Sequence, residues 1–366
     1  MRIGVPKEIK NGEFRVAMMP NQAAELVAQG HRVDVEAAAG IGSGFEDQSY
    51  LDAGANIVKQ AVDVWNVDLV LKVKEPLPQE YTYFRAGLGL FTFLHLAGAP
   101  ELTKALLKKK MCGIAYETVM LDNGSLPLLA PMSQVAGRVA MLFAAHLLQK
   151  NCMGNFAGKG MLLGGITGVG QGKVIIIGGG NVGRHAAQVA IGLGAEVVIF
   201  DQSEGCLLSL KQTFGDKVRT SLYSQENLKA LLPTCDVLVG AALVAGEHAP
   251  QLLSRAMIGL MPRGSLFMDV AIDQGGMSET SRVTSYAQPT YQEEGIIHCC
   301  LPNLPAAVAQ SSTQALTFAT FPYVKKIAEL GLEQAVLQDE ALAKGVNVWD
   351  GELKHEAVRK ALTAMV

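Results

Sequence analysis

The chain has 366 residues, of which 49% are hydrophobic, a composition that fits two globular domains of roughly 100–200 residues each. Its formal net charge of −3 comes from interspersed charges of both signs without a basic block, so nucleic acid is not an expected partner. The N-terminus has no apolar signal core, and the most apolar run, Val139–Leu148, is shorter than the ~20 residues that span a bilayer. We therefore expect a cytoplasmic protein with no membrane partner.

The cysteines are scattered, without a CxxC pair and without histidines at the spacing of a metal site. We therefore assign no metal ligands and expect no structural zinc, and the sequence leaves open whether a divalent ion participates. In a reducing cytosol the thiols would stay free and pack as small hydrophobic side chains. The six positions are Cys112, Cys152, Cys206, Cys235, Cys299 and Cys300.

Strand-like and helix-like runs alternate along the first part of the chain. Strands that alternate with helices form parallel sheets covered on both faces. The sequence therefore predicts an α/β fold of doubly wound, mostly parallel sheets. The predicted elements are strands at Arg2–Val5, Arg32–Glu36, Leu69–Lys72 and Leu88–Phe93 and a helix at Pro20–Gln29.

The middle of the chain opens with a long predicted helix, Pro131–Lys150, for which Ser133 is the predicted N-cap. A glycine-rich loop and a second alternating series of strands and helices follow. The glycine cluster at residues 164–170 precedes a strand rather than following one. We interpret it as a lead-in loop, with direct cofactor contact as the alternative. The strands of this series are predicted at Lys173–Ile177, Glu196–Phe200, Val237–Val239 and Ser265–Asp269.

Two breaks in this pattern divide the chain. The long helix separates the two alternating series, and after Pro305 the sequence is predicted to be helical, without strands. Such a helical segment makes a poor domain by itself, so we join residues 306–366 to residues 1–129 as one domain. Residues 130–305 form the other, the predicted cofactor-binding domain.

A G-x-G-x-x-G pattern, from Gly178 to Gly183, directly follows the first predicted strand of the second series and opens a helix-compatible run. Gly178 permits the tight turn, Gly180 has no side chain to block a pyrophosphate, and Gly183 lets the helix pack closely on the strand. The N–H groups at the start of the helix, around Val182, suit phosphate. The turn could serve structure alone, but the strand before it and the helix after it favour dinucleotide binding.

Asp201 stands at the end of the next predicted strand, at the distance expected of a ribose-binding acid. A carboxylate there accepts hydrogen bonds from both ribose hydroxyls and repels a 2′-phosphate. The predicted cofactor is therefore NAD rather than NADP.

Four polar residues stand at the ends of predicted elements: Arg15, Lys74, His95 and Asp269. Ligand sites in α/β sheets lie at the carboxyl ends of strands. Arginine can hold a carboxylate with two hydrogen bonds, lysine adds a point charge, and histidine transfers protons near neutral pH. Each residue type also has a structural interpretation: a solvated charge for Arg15 and Lys74, a buried structural histidine, and a helix cap for Asp269. Spacing alone leaves these alternatives open.

Segments across nearly the whole chain resemble the alanine dehydrogenase family, and the resemblance weakens only at the C-terminal end. It implies NAD-dependent interconversion of L-alanine with pyruvate and ammonia, in a fold of two Rossmann-like domains with the active site in the cleft. It also implies a homo-oligomer, commonly a hexamer. The segments that carry it are Met1–Lys10, Phe14–Ala17, Leu71–Pro78, Phe93–Ala97, Pro127–Arg138 and Met268–Gly276.

The resemblance also implies a role for individual residues. Arg15 and Lys74 would bind the substrate carboxylate, and His95 and Asp269 would form the catalytic pair. The remaining assignments are Met132 and Asn303 beside the reaction centre, and Ser133, Asp201 and Ser224 on the cofactor.

The sequence departs from the family's pattern in several places. The loop at residues 151–160 is longer than usual, residues 205–206 lack a basic side chain that often follows the ribose-binding acid, and residues 247–248 replace a stretch that more often carries lysine. Leu301–Pro305 replaces the usual Val-Ala-Asn-Met-Pro near the substrate. The last difference leaves the preferred amino acid open.

Three other functions fit parts of this pattern. The soluble domain of a proton-translocating transhydrogenase shares the two-domain plan but need not carry a catalytic lysine and histidine, so Lys74 and His95 favour a dehydrogenase. A dehydrogenase of a larger amino acid, of the saccharopine dehydrogenase kind, is a second alternative. A non-catalytic nucleotide sensor is the third, and the presence of all four polar residues argues against it.

Overall fold

The structure, a computed structural model, describes residues 1–150, 158–242 and 249–363. Two of the sequence features noted above, the longer loop and the replaced lysine stretch at residues 247–248, lie largely or wholly outside the described residues, as does Cys152.

The chain forms two compact units. The first unit comprises Met1–Met132 together with Ala306–Val366, and the second comprises Ser133–Pro305. The assignment of a substrate domain and a cofactor domain to these parts of the chain stays a prediction and is taken up under the proposed function.

The N-terminal part of the first unit alternates strands with helices. Its strands are β1 (Arg2–Val5), β2 (Arg32–Glu36), β3 (Asn56–Val58), β4 (Leu69–Leu71), β5 (Gly89–Thr92) and β6 (Cys112–Ala115). Its helices are α1 (Pro20–Ala28), α2 (Asp47–Asp52), α3 (Ala61–Trp65) and α4 (Pro100–Lys108), after which the long helix α5 (Ala130–Leu147) leads into the second unit.

The second unit repeats the alternation. Its strands are β7 (Lys173–Ile177), β8 (Glu196–Asp201), β9 (Arg219–Leu222), β10 (Val237–Gly240), β11 (Leu266–Asp269), β12 (Tyr291–Glu293) and β13 (Ile296–Cys299). Its further helices are α6 (Asn181–Gly192), α7 (Glu204–Phe214), α8 (Gln225–Leu231) and α9 (Arg255–Ile258).

The C-terminal part returns to the first unit. Its elements are α10 (Ala309–Leu330), α11 (Leu332–Gln338), α12 (Glu340–Gly345), β14 (Val346–Trp349), β15 (Glu352–Leu353) and α13 (Glu356–Thr363).

Each unit is built on one sheet. The order is β15-β14-β6-β5-β4-β1-β2-β3 in the first unit and β12-β13-β11-β10-β7-β8-β9 in the second. The central pairs are parallel, and antiparallel pairs occur only at the β6–β14–β15 and β12–β13 edges of the described sheets. Strands β4, β5, β6, β10 and β11 are buried along their whole length, as expected of strands covered on both faces. The prediction of an α/β fold with mostly parallel sheets is confirmed.

The prediction that the C-terminal segment has no strands is wrong. β14 pairs antiparallel with β6, and β15 folds back on β14. The turn between them is Asp350-Gly351, with φ angles of 47° and 84°. Asp-Gly with positive φ at both positions is a strong hairpin signal, and before it Val346 and Val348 stand on either side of the polar Asn347. This local signal is short. β14 forms because it pairs with the edge of β6, a strand from the N-terminal part of the chain.

The predicted N-cap of the long helix is also wrong. α5 begins at Ala130 instead, so Ser133 lies inside its first turn. Pro131 explains the earlier start, because proline fits the first turn of a helix, where its missing N–H has no partner to lose. No helix in the described ranges is both long and apolar enough to cross a membrane.

Candidate active site

Arg15 is a buried cation in the loop that follows β1. Its side chain is 2% exposed and donates two hydrogen bonds to the Glu13 carboxylate, from Nε to Oε1 (2.7 Å) and from Nη2 to Oε2 (2.6 Å). The third nitrogen, Nη1, lies 3.0 Å from the sulfur of Met132. Paired hydrogen bonds to a planar guanidinium fix its orientation as well as its charge. The structure therefore brings together two residues that the sequence assigned to the substrate.

Lys74 lies in the loop that follows β4, and its backbone is held by a buried carboxylate. Glu8 accepts hydrogen bonds from the N–H of Val73 (2.6 Å) and of Lys74 (3.3 Å), and Thr92 donates its hydroxyl to the Lys74 carbonyl (3.0 Å). These bonds set the point from which the half-buried Lys74 side chain extends.

Behind this loop lies a buried ion cluster. Lys72, with no exposed side-chain surface, lies 3.0 Å from Glu8 and 2.9 Å from Glu80. Burial by itself would lower the pKa of Lys72, but attraction by the two carboxylates outweighs it and the pKa is raised. Lys72 is thus charged, and it ties the start of the Lys74 loop to the loop after β1.

His95 follows β5 with its backbone in the left-handed region (φ 49°, ψ 40°). Glu117 holds this conformation, since its carboxylate accepts the N–H groups of His95 (2.6 Å) and Leu94 (3.2 Å). The imidazole stacks on Phe93, with ring centres 5.7 Å apart, and is 51% exposed. An exposed ring on a fixed backbone suits proton transfer, and the alternative of a buried structural histidine is wrong.

These three residues share one edge of the first unit's sheet. β5, β4 and β1 are neighbours and run parallel, so the loops after them meet at the carboxyl edge. That edge is where α/β sheets bind ligands.

The glycine turn of the second unit has the geometry that a dinucleotide needs. Gly178 has a φ of 102°, and a Cβ on Gly183 would lie 1.8 Å from the Gly178 carbonyl oxygen, so neither position tolerates a side chain easily. A Cβ on Gly180 would instead enter space with no atom within 4 Å. That open space lies at the N-cap of α6, whose first N–H groups have no acceptor within the helix. Open space beside free N–H groups is what a phosphate group requires, and the half-buried Val182 lies next to it.

Asp201 ends β8 beside this turn. Its carboxylate accepts the N–H groups of Gly179 (2.7 Å) and Ser203 (2.8 Å) and stays partly exposed. A partly exposed carboxylate so anchored fits a ribose diol. Ser224 follows the next strand, where its hydroxyl caps α8 by accepting the Asn227 N–H (3.0 Å). Ser133 is partly exposed on α5.

Asp269, at the end of β11, is tied into its own segment. It is 1% exposed, and its oxygens accept hydrogen bonds from the Ser281 hydroxyl (2.5 Å) and the N–H groups of Met277 (2.8 Å) and Ala271 (3.1 Å). Burial outweighs these bonds and raises its pKa. The hydrogen bonds order the glycine-rich turn that follows β11.

Asp273, which the sequence interpretation passed over, is the exposed acid of the same segment. It accepts the backbone N–H of Asn303 (3.2 Å), and Asn303 has a φ of 55°. The signal was present, because Asp273 lies in the Met268–Gly276 segment that carries the family resemblance. Sequence alone cannot rank two aspartates four residues apart by burial.

The supporting glutamates were also missed. Glu8, Glu13, Glu75 and Glu117 each contact a predicted site residue or its loop. Two of them stand in quoted family segments, which was the available signal. A glutamate in a loop is usually solvated, however, and only the fold shows which of them are buried.

Comparison with known proteins identifies the family. The model of the N-terminal domain of alanine dehydrogenase/PNT matches residues 4–136, and the model of the C-terminal domain matches residues 140–356. The alanine dehydrogenase of Bacillus subtilis is 48% identical over 363 residues, which cover 99% of this chain and 95% of that protein.

Solved structures agree. An L-alanine dehydrogenase structure is 47% identical, with a TM-score of 0.94 and complete coverage of both chains. A transhydrogenase from Sinorhizobium meliloti, 23% identical, shares the fold with a TM-score of 0.82 over 97% of this chain and all of that one. The chain therefore belongs to the alanine dehydrogenase/PNT family.

Proposed function

We propose that the chain is an NAD-dependent L-alanine dehydrogenase. It converts L-alanine, NAD and water to pyruvate, ammonium, NADH and a proton, and catalyses the reverse reductive amination. The observation that carries this proposal is the grouping of Arg15, Lys74 and His95 at one sheet edge, in a chain about half identical to alanine dehydrogenases along its whole length.

Residues 1–129 with 306–366 serve as the substrate-binding and catalytic domain. Residues 130–305 serve as the NAD-binding domain. The supporting observation is that each part carries its own kind of site: anchored cations and an exposed imidazole in the first, and a glycine turn at a helix N-terminus in the second.

The substrate carboxylate binds between Arg15 and Lys74. Glu13 and Met132 orient the Arg15 guanidinium, and Glu8 orients the Lys74 backbone, before substrate arrives. Orientation in advance lowers the entropy lost on binding, and positioning of this kind can supply several kcal/mol, on the order of 7–11 at best.

His95 exchanges protons with the amine and with the water that adds to the imine. The ring is exposed and therefore accessible to substrate. The hydrogen bond from the His95 N–H to Glu117 fixes the backbone from which the ring extends. The sequence assigns Asp269 to the same chemistry, but its burial favours a role in shaping the turn. Asp273, exposed and bonded to the Asn303 backbone, is the carboxylate of this segment that a ligand can reach.

The glycine turn would hold NAD, which would supply the acceptor for the hydride of the substrate Cα. Gly178, Gly180, Val182 and Gly183 would hold the pyrophosphate, and Ser133 and Ser224 would also contact the cofactor. Asp201 holds the adenosine ribose, and its negative charge disfavours a 2′-phosphate. No basic residue stands at positions 202–206 to offset that charge, which supports NAD over NADP.

Two further parts of the proposal carry over expectations from the sequence analysis. The protein works in the cytoplasm, and it assembles as a homo-oligomer, a hexamer in the form common to the family.

The assay that tests the activity is NADH formation by the purified protein with NAD and L-alanine at alkaline pH. Parallel reactions contain NADP, D-alanine, L-serine, L-2-aminobutyrate or L-lysine. Formation of NADH specific to L-alanine and NAD supports the proposal. Turnover of another amino acid would show that the enzyme has a different substrate, and Leu301–Pro305 would be the segment expected to set that preference. NAD binding without turnover favours a nucleotide sensor.

Variants of the two aspartates separate their roles. We expect Asp273→Asn to lower kcat by about 100-fold with little change in stability, because general acid–base catalysis contributes about 10²–10⁴-fold. Asp269→Asn should destabilise the second unit by about 1–3 kcal/mol, because its amide cannot accept all three hydrogen bonds. Urea unfolding and steady-state kinetics measure both. Unchanged kcat in Asp273→Asn, with a loss confined to a stably folded Asp269→Asn, would return the catalytic role to Asp269.

A further inference from the structure

Glu75 is a carboxylate that the mechanism above does not use. It lies next to Lys74 in the loop after β4, and its side chain is 18% exposed. Oε1 accepts a hydrogen bond from Lys10 Nζ at 2.5 Å. Oε2 is buried and, within the residues that the structure describes, has no hydrogen-bond donor.

The group that Oε2 faces is the imidazole of His95. The distance from Oε2 to Nδ1 is 3.9 Å, too long for a hydrogen bond but within the range of an ion pair. A buried carboxylate oxygen without a donor is costly, so a small rotation of either side chain that closes this gap is favourable.

Glu75 is ionised at neutral pH. Burial opposes its ionisation, but His95, Lys10 and Lys74 outweigh burial and hold the pKa of Glu75 well below its usual range. A negative charge therefore stands beside Nδ1 in both protonation states of the ring.

We propose that Glu75 is a positioning residue for His95, holding Nδ1–H of the imidazole so that Nε2 is the nitrogen that exchanges protons with substrate or water. This inference rests on the proposed function. A carboxylate on one ring nitrogen selects the tautomer, fixes the ring plane and stabilises the imidazolium that forms during turnover. The backbone of His95 is fixed by Glu117 and one ring face by Phe93, so Glu75 supplies the remaining constraint on the ring.

Several other charged groups lie near the Glu75 carboxylate and the His95 backbone. Lys10 and Lys74 attract the Glu75 carboxylate, and Glu117 accepts the backbone N–H of His95. The groups that contact or face this part of the fold are Lys10 from the loop after β1, Lys74 and Glu75 after β4, Glu117 after β6, Glu101 on α4 and His355 before α13.

The test compares the pH dependence of kcat/KM for L-alanine in the wild type and Glu75→Gln. The neutral imidazole is the active form in deamination, so the acidic limb of the profile reports its titration. Without the neighbouring anion the imidazolium is less stable, and the limb should move to lower pH by about 0.5–1 unit. kcat should fall about tenfold or more, as part of a general-base contribution of about 10²–10⁴-fold.

Two further variants keep the result interpretable. Glu75→Asp retains the charge and should restore most of the limb's position. Lys10→Met removes a cation near the ring and should move the limb the other way. The matched control is Glu352→Gln, an exposed glutamate of the same unit that is paired with Lys354, and it should leave the profile unchanged.

NMR titration of the His95 ring nitrogens in ¹⁵N-histidine-labelled protein measures the contact without turnover. The wild type should carry its proton on Nδ1 when neutral, and Glu75→Gln should lower the titration midpoint and mix the tautomers. An unmoved midpoint and an unmoved acidic limb in folded Glu75→Gln would overturn the inference. A wild type that does not oxidise L-alanine but shows the Glu75-dependent titration would reject the proposed function and leave the Glu75–His95 contact standing.

Discussion

The two units build their sites by different means. In the first unit the predicted site residues Arg15, Lys74 and His95 are each held by the side chain of a glutamate: Glu13 for Arg15, Glu8 for the Lys74 loop and Glu117 for His95. In the second unit the site is mainly backbone, a glycine turn and a helix N-terminus, and its acids accept main-chain N–H groups.

This difference follows from the ligands that the two units are proposed to bind. A small carboxylate needs charges at a few points, and long flexible cations must be oriented by partners to provide them. A pyrophosphate needs close approach over several atoms, which the backbone offers where side chains are absent. The first unit should therefore be sensitive to loss of charge and the second to added volume.

Loss of the buried cation in the first unit should have the largest effect. Lys72→Met leaves Glu8 and Glu80 buried without their shared partner, so we expect the free energy of unfolding to fall by about 3–5 kcal/mol. Urea unfolding measures it. The control is Lys104→Met, which breaks an exposed pair with Glu101 and should cost at most about 1 kcal/mol. Equal losses in the two variants would show that burial of the cluster does not matter.

Acid should weaken the second unit through His298, a buried histidine to which the proposed chemistry assigns no role. Burial lowers its pKa to about 4, against the ordinary value of 6.5, while its ring contacts Thr280 (2.8 Å) and the Ile296 carbonyl (3.0 Å). The unfolded chain binds the proton first, so stability is complete above pH 6.5 and falls as pH drops toward 4. The full loss is about 3 kcal/mol.

Denaturant unfolding of the second unit between pH 7 and pH 4 measures this loss. His298→Gln can still donate and accept hydrogen bonds but does not titrate, so its stability should depend less on pH in this window. The carboxylate Glu75 of the first unit has a lowered pKa, so its stabilising contribution is lost only below the ordinary glutamate pKa of 4.5. An equal pH slope in the wild type and His298→Gln would assign the acid sensitivity to other groups.

Alanine substitutions in the glycine turn should have the smallest effect on the free energy of unfolding. They should also distinguish a glycine needed for folding from one needed for NAD binding. Gly183→Ala places a methyl group 1.8 Å from a carbonyl oxygen and should cost about 1–3 kcal/mol of stability. Gly180→Ala meets no protein atom and has an ordinary backbone (φ −66°), so stability should be unchanged.

NAD binding should respond to both substitutions, and Gly180→Ala gives the cleaner readout. A methyl group there enters the space proposed for the pyrophosphate. One lost hydrogen bond to a charged group costs about 1.5–3 kcal/mol, so NAD should bind about tenfold or more weakly. Calorimetry of NAD binding and thermal unfolding together test this pair. Unchanged NAD affinity in Gly180→Ala would move the phosphate away from this turn.

Local signals in the sequence predicted eight of the strands and the helices α1, α5 and α6, but β3, β6, β9, β12 and β13 were not predicted. β1, β2 and β7 have the predicted bounds, β4, β8, β10 and β11 differ from prediction by one residue at one end, and β5 is one residue shorter at each end. Continuous apolar runs and flanking glycine or proline are properties of neighbouring residues, so they can be recognised without the fold. β14 and β15 were missed because their pairing depends on β6, which lies far away in the sequence.

The sequence by itself determined the α/β class, the glycine turn with its acid, and the polar residues that follow the strands, since each depends on residue type at short range. Only the tertiary structure decided which carboxylates are buried. In the fold Asp269 is buried and accepts hydrogen bonds from its own segment, while Asp273 is exposed. Glu75 lies beside His95 although 20 positions separate them in the sequence. Burial and pairing depend on which loops meet at a sheet edge, and that is a property of strand order, not of any local pattern.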